Sequence, residues 1–363
     1  MFWHFSVVLS INMNSIPKTM ATKRDSSQTI QPGVLMQSAN KGKLTPHIVI
    51  KGLFDRLLYR IATLGFDLII LMAMTLLLIG SVLAMGGHVR LFQATVLLPI
   101  IIMVLAIAVK VIRNPSGWYE ESIYLLRDWV PFVLVVFIYE NMHDVAGQVM
   151  AFDIAGHLLN WDIMVFGIEP TIWAQKVYSP LMTDIMSITY ALYFVQPLFI
   201  MFLLSVWKKR YEFRHMALCL TVCLILGFLG YVFLPCSPPR YFIEHMYTDP
   251  VRLQGLFLFN WLQGTWDGLS VISGGAFPSL HVGLSAAALI YAFKFRKMNL
   301  TCRIVWYAYV PLVTALWFST IYLRHHWILD IVAGLFVAGT GYMVANFMMP
   351  IWRSLRQRYE LPF

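Results

Sequence analysis

The sequence predicts an all-α fold: a polytopic membrane bundle of about eight transmembrane helices. Composition is the first reason. Of 363 residues, 59% are hydrophobic, 15% aromatic and only 12% charged, where soluble domains carry about a quarter charged residues. Periodicity is the second. Crossing about 30 Å of hydrocarbon takes about 20 apolar residues as a helix, and runs of that kind recur at 61–85, 92–112, 129–145, 182–207, 214–234, 278–294, 303–323 and 327–349. The third run is the weakest, because Glu140, Asn141, His143 and Asp144 fall in its last turns and are costly there unless they face a polar interior.

Around these runs the chain divides into a polar, flexible N-terminal segment at 1–50, two transmembrane helices within 51–128, six more within 129–349, and a basic tail at 350–363. The formal charge of +9 is carried largely by the breaks between runs, at Lys208-Lys209-Arg210, Lys294 to Lys297 and Arg353 to Arg358. Basic residues so placed mark cytoplasmic loops beside anionic lipid, and the absence of a basic stripe on a soluble module excludes a nucleic-acid partner. Both termini are then cytoplasmic, and 86–91, 146–181, 235–277 and 324–326 face the opposite, extracytoplasmic or lumenal side. The apolar patch from Phe2 to Ile11 has no basic lead before it, so a signal peptide is not expected. Four scattered cysteines make no disulfide framework and no Cys-x-x-Cys metal pattern.

Two of the opposite-side segments are distinctive. Residues 146–181 mix Trp161, Phe166 and Trp173 with Asp153, Asp162 and Glu169, as an interfacial helix pair does. Residues 235–277 hold four prolines and five glycines, Pro235, Pro238, Pro239, Gly264, Gly268, Gly274 and Gly275 among them, an irregular loop able to approach a ligand closely.

The chemistry-bearing residues fall on that same side. His326 and Asp330 are four apart at the start of the last span, so on a helix they share a face. A carboxylate there accepts the imidazole Nδ1 hydrogen and leaves Nε2 free to attack phosphorus. His325 has Leu329 at the equivalent position, which makes His326 the better nucleophile. In Pro278-Ser279-Leu280-His281 the proline suits a first helical turn, whose free N–H groups with the Ser279 hydroxyl form an anion site. His281 there can protonate a leaving oxygen and later deprotonate an acceptor. Arg240 and Arg324 supply guanidinium groups that match phosphate oxygens. His325, Tyr241, Tyr190, Tyr193 and Asp144, together with Gln196, are candidates for a headgroup pocket or for packing between helices.

Phe-Pro-Ser-Leu-His at 277–281, Ser-Thr-Ile-Tyr-Leu-Arg-His-His at 319–326 with Asp330, and Pro-Cys-Ser-Pro-Pro-Arg-Tyr at 235–241 resemble the motifs of the type 2 phosphatidic acid phosphatase superfamily, and more closely its inositol phosphorylceramide synthase-like branch. The resemblance covers about 129–349 and implies a six-helix catalytic core there. It implies His326 as nucleophile, Asp330 as its orienting carboxylate, His281 as general acid/base and Ser279 in the phosphate cradle. The chain departs from the phosphatase branch in having no first-motif Lys ahead of Arg240 and Thr320 where that branch has an Arg. The His325-His326 doublet looks like the transferase branch.

The expected function is therefore metal-independent, cofactor-free transfer of a phosphoryl or phospho-headgroup unit from a phospholipid donor to a lipid alcohol acceptor. The same residues serve a lipid phosphate or polyprenyl diphosphate phosphatase, with water as acceptor. A non-catalytic lipid binder or transporter built on the intramembrane polar cluster is the reading from another class.

Overall fold

The computed structural model describes residues 52–84, 125, 126, 128, 129, 132, 152–247, 253–262, 264 and 275–361. Among them the regular structure is helical, with one isolated bridge between Cys236 and Gly275 and no strand. Helix α1 (Gly52–Leu64) is amphipathic and ends at Gly65, whose φ of +86° turns the chain by 99° into α2 (Phe66–Ala84). A Cβ at Gly65 would crowd the Arg214 guanidinium, and the positive φ is one that L side chains rarely adopt. The first apolar helix accordingly begins at Phe66, not at 61. The spans expected at 92–112 and, beyond Trp129 and Phe132, at 129–145 lie outside the described residues, and Glu140, Asn141, His143 and Asp144 lie there with them.

Two short helices occupy the segment expected to hold an interfacial pair, α3 (Ala155–Phe166), closed by Gly167 at φ +74°, and α4 (Pro170–Ala174), capped by Glu169. The run at 182–207 is broken into α5 (Pro180–Ala191) and α6 (Val195–Val206), inclined at 44°. Pro197 explains the break: it has no N–H for the carbonyl of Tyr193, and its ring clashes with a helix continued through that carbonyl. Helix α7 (Arg210–Phe233) follows. One turn, α8 (Pro239–Phe242), starts with proline at its first position. Three helices complete the described chain: α9 (Leu280–Phe295), α10 (Leu300–Tyr322) and α11 (Ile328–Arg358), the last continuous through the basic tail.

Helices α7, α10 and α11 are each long and apolar enough to cross a membrane, and the bent pairs α1–α2 and α5–α6 raise the number among the described residues to five. The chain is an integral membrane protein. Helix α9, at 16 residues, is shorter, and it is the hub: it packs against α6, α7, α10 and α11, and most of its side chains are buried. Small residues make this possible. Between helices in lipid, close packing rather than apolar burial drives association, and α9 presents Gly283, Ser285 and Ala286 to Ala288 to its neighbours. From the other side, Gly334 on α11 lies so near that a Cβ would sit 2.5 Å from the Ser279 carbonyl. Gly227 and Gly230 on α7 make room for Leu280 and Pro278 in the same way.

The basic breaks gather at the other end of the bundle. Arg214 pairs with the buried Asp67 at 2.5 Å, Lys294 reaches His215 at 3.2 Å, Arg353 stacks on Tyr211, and the Arg356 guanidinium donates to the Ala62 carbonyl at 3.0 Å. Each contact joins two helices.

Because Gly334 is where α9 and α11 touch, Gly334→Ala is expected to cost about 1–3 kcal/mol by overpacking. Thermal unfolding of the detergent-solubilised protein checks this, and an unchanged midpoint would mean that the helices separate freely there.

Candidate active site

The site is assembled where three loops and helix ends meet: the start of α9, the turn from α10 to α11, and the loop before α8. Ser279 caps α9 by accepting the Val282 N–H at 3.3 Å, and its own N–H donates to the Asp330 carbonyl at 3.1 Å. Pro278 therefore precedes the cap instead of opening the first turn, and the fully buried Ser279 hydroxyl is engaged as a helix cap. His281 occupies the second helical position.

After α10, Arg324 adopts φ +63°, and the N–H groups of His325 and His326 both donate to the Thr320 carbonyl, at 2.9 and 3.2 Å. Helix α11 starts only at Ile328, so His326 stands before the helix rather than on its face. It meets Asp330 all the same, by a different device. The Asp330 Oδ2 folds back to accept the Trp327 N–H at 2.9 Å, as a capping carboxylate does, and lies 3.2 Å from His326 Nδ1. The buried Trp327 indole donates to the Ser237 carbonyl at 3.0 Å, and the Arg240 N–H donates to the Arg324 carbonyl at 2.9 Å, which joins this turn to the loop before α8.

His326 Nε2 lies 3.3 Å from His281 Nδ1. With Nδ1–H given to Asp330, Nε2 is the acceptor and His281 Nδ1 carries the hydrogen. Tyr190 stacks on both His281 and His325, with ring centroids at 4.2 and 4.5 Å, and Tyr193 packs on His281 at 4.1 Å. Burial first, then the positive charge of Arg240 and the neighbouring imidazoles, holds His325 well below the ordinary histidine pKa, so it is neutral. The arrangement offers one imidazole oriented by a carboxylate and a second placed to exchange a proton beside it.

The two arginines are disposed differently. Arg240 lies over the exposed Tyr241 ring at 4.5 Å, near enough to His325 to depress its pKa. The Arg324 guanidinium rests instead on the Tyr247 ring at 3.9 Å. Tyr247 hydrogen-bonds Thr171 at 2.7 Å, and Thr171 in turn bonds the buried Glu169, whose carboxyl is raised by burial. Of the residues singled out in the sequence, His281, His325, His326, Asp330, Ser279, Tyr190 and Tyr193 come together, Arg240 joins them from α8, and the Tyr241 ring lies under Arg240. Asp144 lies outside the described residues. Cys236 is buried, with its thiol pushed up by burial and by the charges of Asp330 and Asp153, and is no nucleophile.

One participant was not legible in the sequence. Asp162 on α3 is fully buried, and its Oδ2 accepts the N–H of Ile328, the first residue of α11, at 3.2 Å. Asp162 and Asp330 thus satisfy adjacent orphan amides of one helix end. Burial, with the charges of Glu169 and Asp330, raises the Asp162 carboxyl to about 7, against the Ile328 bond that lowers it. An acid between Trp161 and Ile163 reads locally as an interfacial residue, and no spacing rule links it to residue 328.

A carboxyl whose pKa rises from 3.8 to about 7 on folding holds its proton more tightly in the folded chain. Its favourable contribution is complete below pH about 4 and is lost as the pH climbs to about 7. Asp162→Asn keeps an acceptor for Ile328 and cannot ionise. The wild type is therefore expected to lose thermal stability relative to Asp162→Asn across that window, and parallel melting curves from pH 4 to 8 would contradict the assignment.

Comparison with known proteins falls on the same residues. A family model described as the PAP2 superfamily matches residues 158–344. The chain is 27% identical over 165 residues to the phosphoinositol dihydroceramide synthase of Bacteroides thetaiotaomicron, covering 42% of this chain and 52% of that protein. It is 32% identical over 175 residues to the inositol phosphorylceramide synthase catalytic subunit of Schizosaccharomyces pombe, covering 43% and 37%. The corresponding subunit of Saccharomyces cerevisiae is 33% identical over 112 residues, covering 28% and 26%. The chain thus spans about half the length of the first of these curated relatives and less of the other two. No solved structure matches. A family match across half the chain, over the segment that contains every histidine of the site, establishes that the chain belongs to the PAP2 superfamily.

Proposed function

We propose that the chain is a lipid phosphotransferase that moves a phospho-headgroup, inositol phosphate by analogy with the names of its relatives, from a phospholipid to a lipid alcohol such as a ceramide. The observation that carries this reading is the His326 ring, engaged at both nitrogens: Nδ1 by Asp330 at 3.2 Å and Nε2 beside His281 at 3.3 Å.

In the first half-reaction His326 Nε2 attacks the donor phosphorus as His281 swings off it. A P–N bond forms, the P–O bond to the diacylglycerol breaks, and His281, as the imidazolium that the entering anionic phosphate stabilises, protonates the departing alkoxide and is left neutral. In the second half-reaction the acceptor hydroxyl attacks phosphorus, gives its proton to His281 and forms the new P–O bond, and the P–N bond breaks to restore His326. Asp330 stabilises the imidazole while it carries positive charge, and Arg240 faces the equatorial oxygens. Ser279 holds the start of α9, and so His281, in register. Burial of His326, and of His325 beneath Tyr190, favours an alcohol over water as the acceptor. The proposal includes a six-helix catalytic core at 129–349.

The basic segments lie at the end of the bundle opposite the site, which supports cytoplasmic termini and a site at the extracytoplasmic or lumenal face. A cysteine introduced at residue 363 is expected to resist an impermeant thiol reagent in sealed cells, and ready labelling would invert the orientation.

The chemistry is tested with purified protein in bilayers containing a panel of phospholipids and lipid alcohols, with products read by mass spectrometry. A new phosphodiester lipid is expected from the wild type and none from His326→Ala. Asp330→Asn is expected to lose about 10²–10⁴-fold in turnover. Free phosphate without an acceptor product would instead identify a phosphatase, and full activity in His326→Ala would remove the nucleophile.

A further inference from the structure

Four successive amides, from Leu256 to Phe259, converge on the Asp184 carboxylate in the second turn of α5. Oδ2 accepts the N–H groups of Leu256 and Phe257, each at 3.0 Å, and Oδ1 those of Leu258 and Phe259, at 3.2 and 2.9 Å. Gly255 admits the carboxylate, since a Cβ there would collide with Oδ1. The Tyr178 hydroxyl adds a bond to the Gln254 carbonyl at 3.3 Å. Residues 253–262 are therefore tied to the start of α5 through their backbone, and their side chains divide into two sets. Phe259 is buried in one cluster with Met186, Tyr190, Tyr322 and Leu323, and Tyr190 is the ring that stacks on His281 and His325. Leu256, Phe257 and Trp261 point outward, 53%, 87% and 66% exposed.

A loop pinned at successive amides cannot roll these outward side chains under itself, and taking each of them fully out of water is worth about 1.5–3 kcal/mol. The depth of the tether identifies what covers them. The basic break Lys208-Lys209-Arg210 marks the end of the α5–α6 span remote from the site. About 20 helical residues cross the hydrocarbon, so counting back from Lys208 puts the boundary on the site's side near Ile188, about one turn from Asp184. That is the headgroup zone, where tryptophan collects and where apolar side chains dip about 5–10 Å toward the acyl chains. The outward set also adjoins a lipid-facing stripe. Leu181, Ile185 and Ile188 on α5 are exposed at i, i+4 and i+7, and Asp184 lies at the edge of that stripe.

We propose that loop 253–262 is seated in the leaflet on the site's side of the membrane, with Leu256, Phe257 and Trp261 among the headgroups and upper acyl chains, and that Asp184 is the tether that keeps it there. Lipid outside the loop and Phe259 beside Tyr190 inside it make the loop a wall of the site that is held from the bilayer. The inference needs only a chain that spans the membrane. It stands whether or not the site transfers a phospho-headgroup.

Spin labels on the full-length protein in phosphatidylcholine bilayers test both parts. Labels are placed singly through Phe257→Cys, Trp261→Cys and Glu244→Cys, the last an exposed position on the same side, and the native cysteines are all buried. Relaxation by oxygen, which concentrates among acyl chains, is compared with relaxation by a water-soluble nickel chelate. Oxygen is expected to dominate at 257 and 261, and the chelate at 244. Chelate dominance at all three positions would place the loop in water and overturn the proposal. Protection of 257 and 261 from both agents would cover the loop with protein, a second copy or another chain, and would overturn it too. Asp184→Asn leaves one acceptor oxygen where two serve the four amides. It is expected to lower the oxygen-to-chelate ratio at 257 several-fold while leaving that of Phe202→Cys, on the exposed side of α6, unchanged. The milder Gly255→Ala, which crowds the carboxylate, is expected to move the ratio at 257 the same way. An unchanged ratio at 257 in both variants, or an equal fall at 202, would remove Asp184 as the tether.

Discussion

Asp330 does two things with one carboxylate. It caps the first turn of α11 through the Trp327 amide, and it holds His326 Nδ1. Its backbone carbonyl does a third, receiving the N–H of Ser279 and so fixing where α9 begins. Removing the carboxylate would release the helix end and the imidazole together. The His326 ring stands outside any helix, and its position is inherited from a cap rather than from helical periodicity.

That arrangement needs α9 and α11 in close contact, and the glycine and alanine faces provide it. In a bilayer the hydrocarbon of a lipid is as apolar as leucine, so a large side chain gains little by choosing a protein neighbour over a lipid one. Gly334 against the Ser279 carbonyl brings the second helix to within a backbone-to-backbone distance of the first, one turn below Asp330. The two imidazoles are 3.3 Å apart for the same reason that a Cβ at 334 has no room. Small-residue packing in the membrane and the geometry of the site are one constraint seen at two depths.

Polar groups are used sparingly and mostly in pairs. Arg214 is matched by Asp67, and Asp184 accepts four consecutive backbone N–H groups from Leu256 to Phe259, anchoring that loop to α5. The site end of the bundle is tied together by the Trp327 indole and the Thr320 carbonyl.

The membrane class, the positions of α7, α9, α10 and α11, and the histidines with their carboxylate were legible in the sequence, since apolar runs and short-range spacing follow from chain-local physics. Several features were not. Pro197 broke one span and Gly65 another, because a proline's missing N–H and a glycine's positive φ bend a helix by amounts that hydropathy does not register. The i, i+4 argument named the right pair, His326 and Asp330, for a geometry the chain does not adopt. Arg240 and Arg324, equivalent as charges in the sequence, part company in space, one beside His325 and the other on Tyr247. Asp162 reaches α11 across more than 160 residues, and only the packing of α3 onto that helix end makes it a cap. The sequence by itself determined which side chains could perform phosphoryl chemistry and which segments dissolve in lipid. Tertiary structure alone decided which of those side chains meet, because contacts between distant helix ends depend on where each helix stops and how closely its neighbours pack.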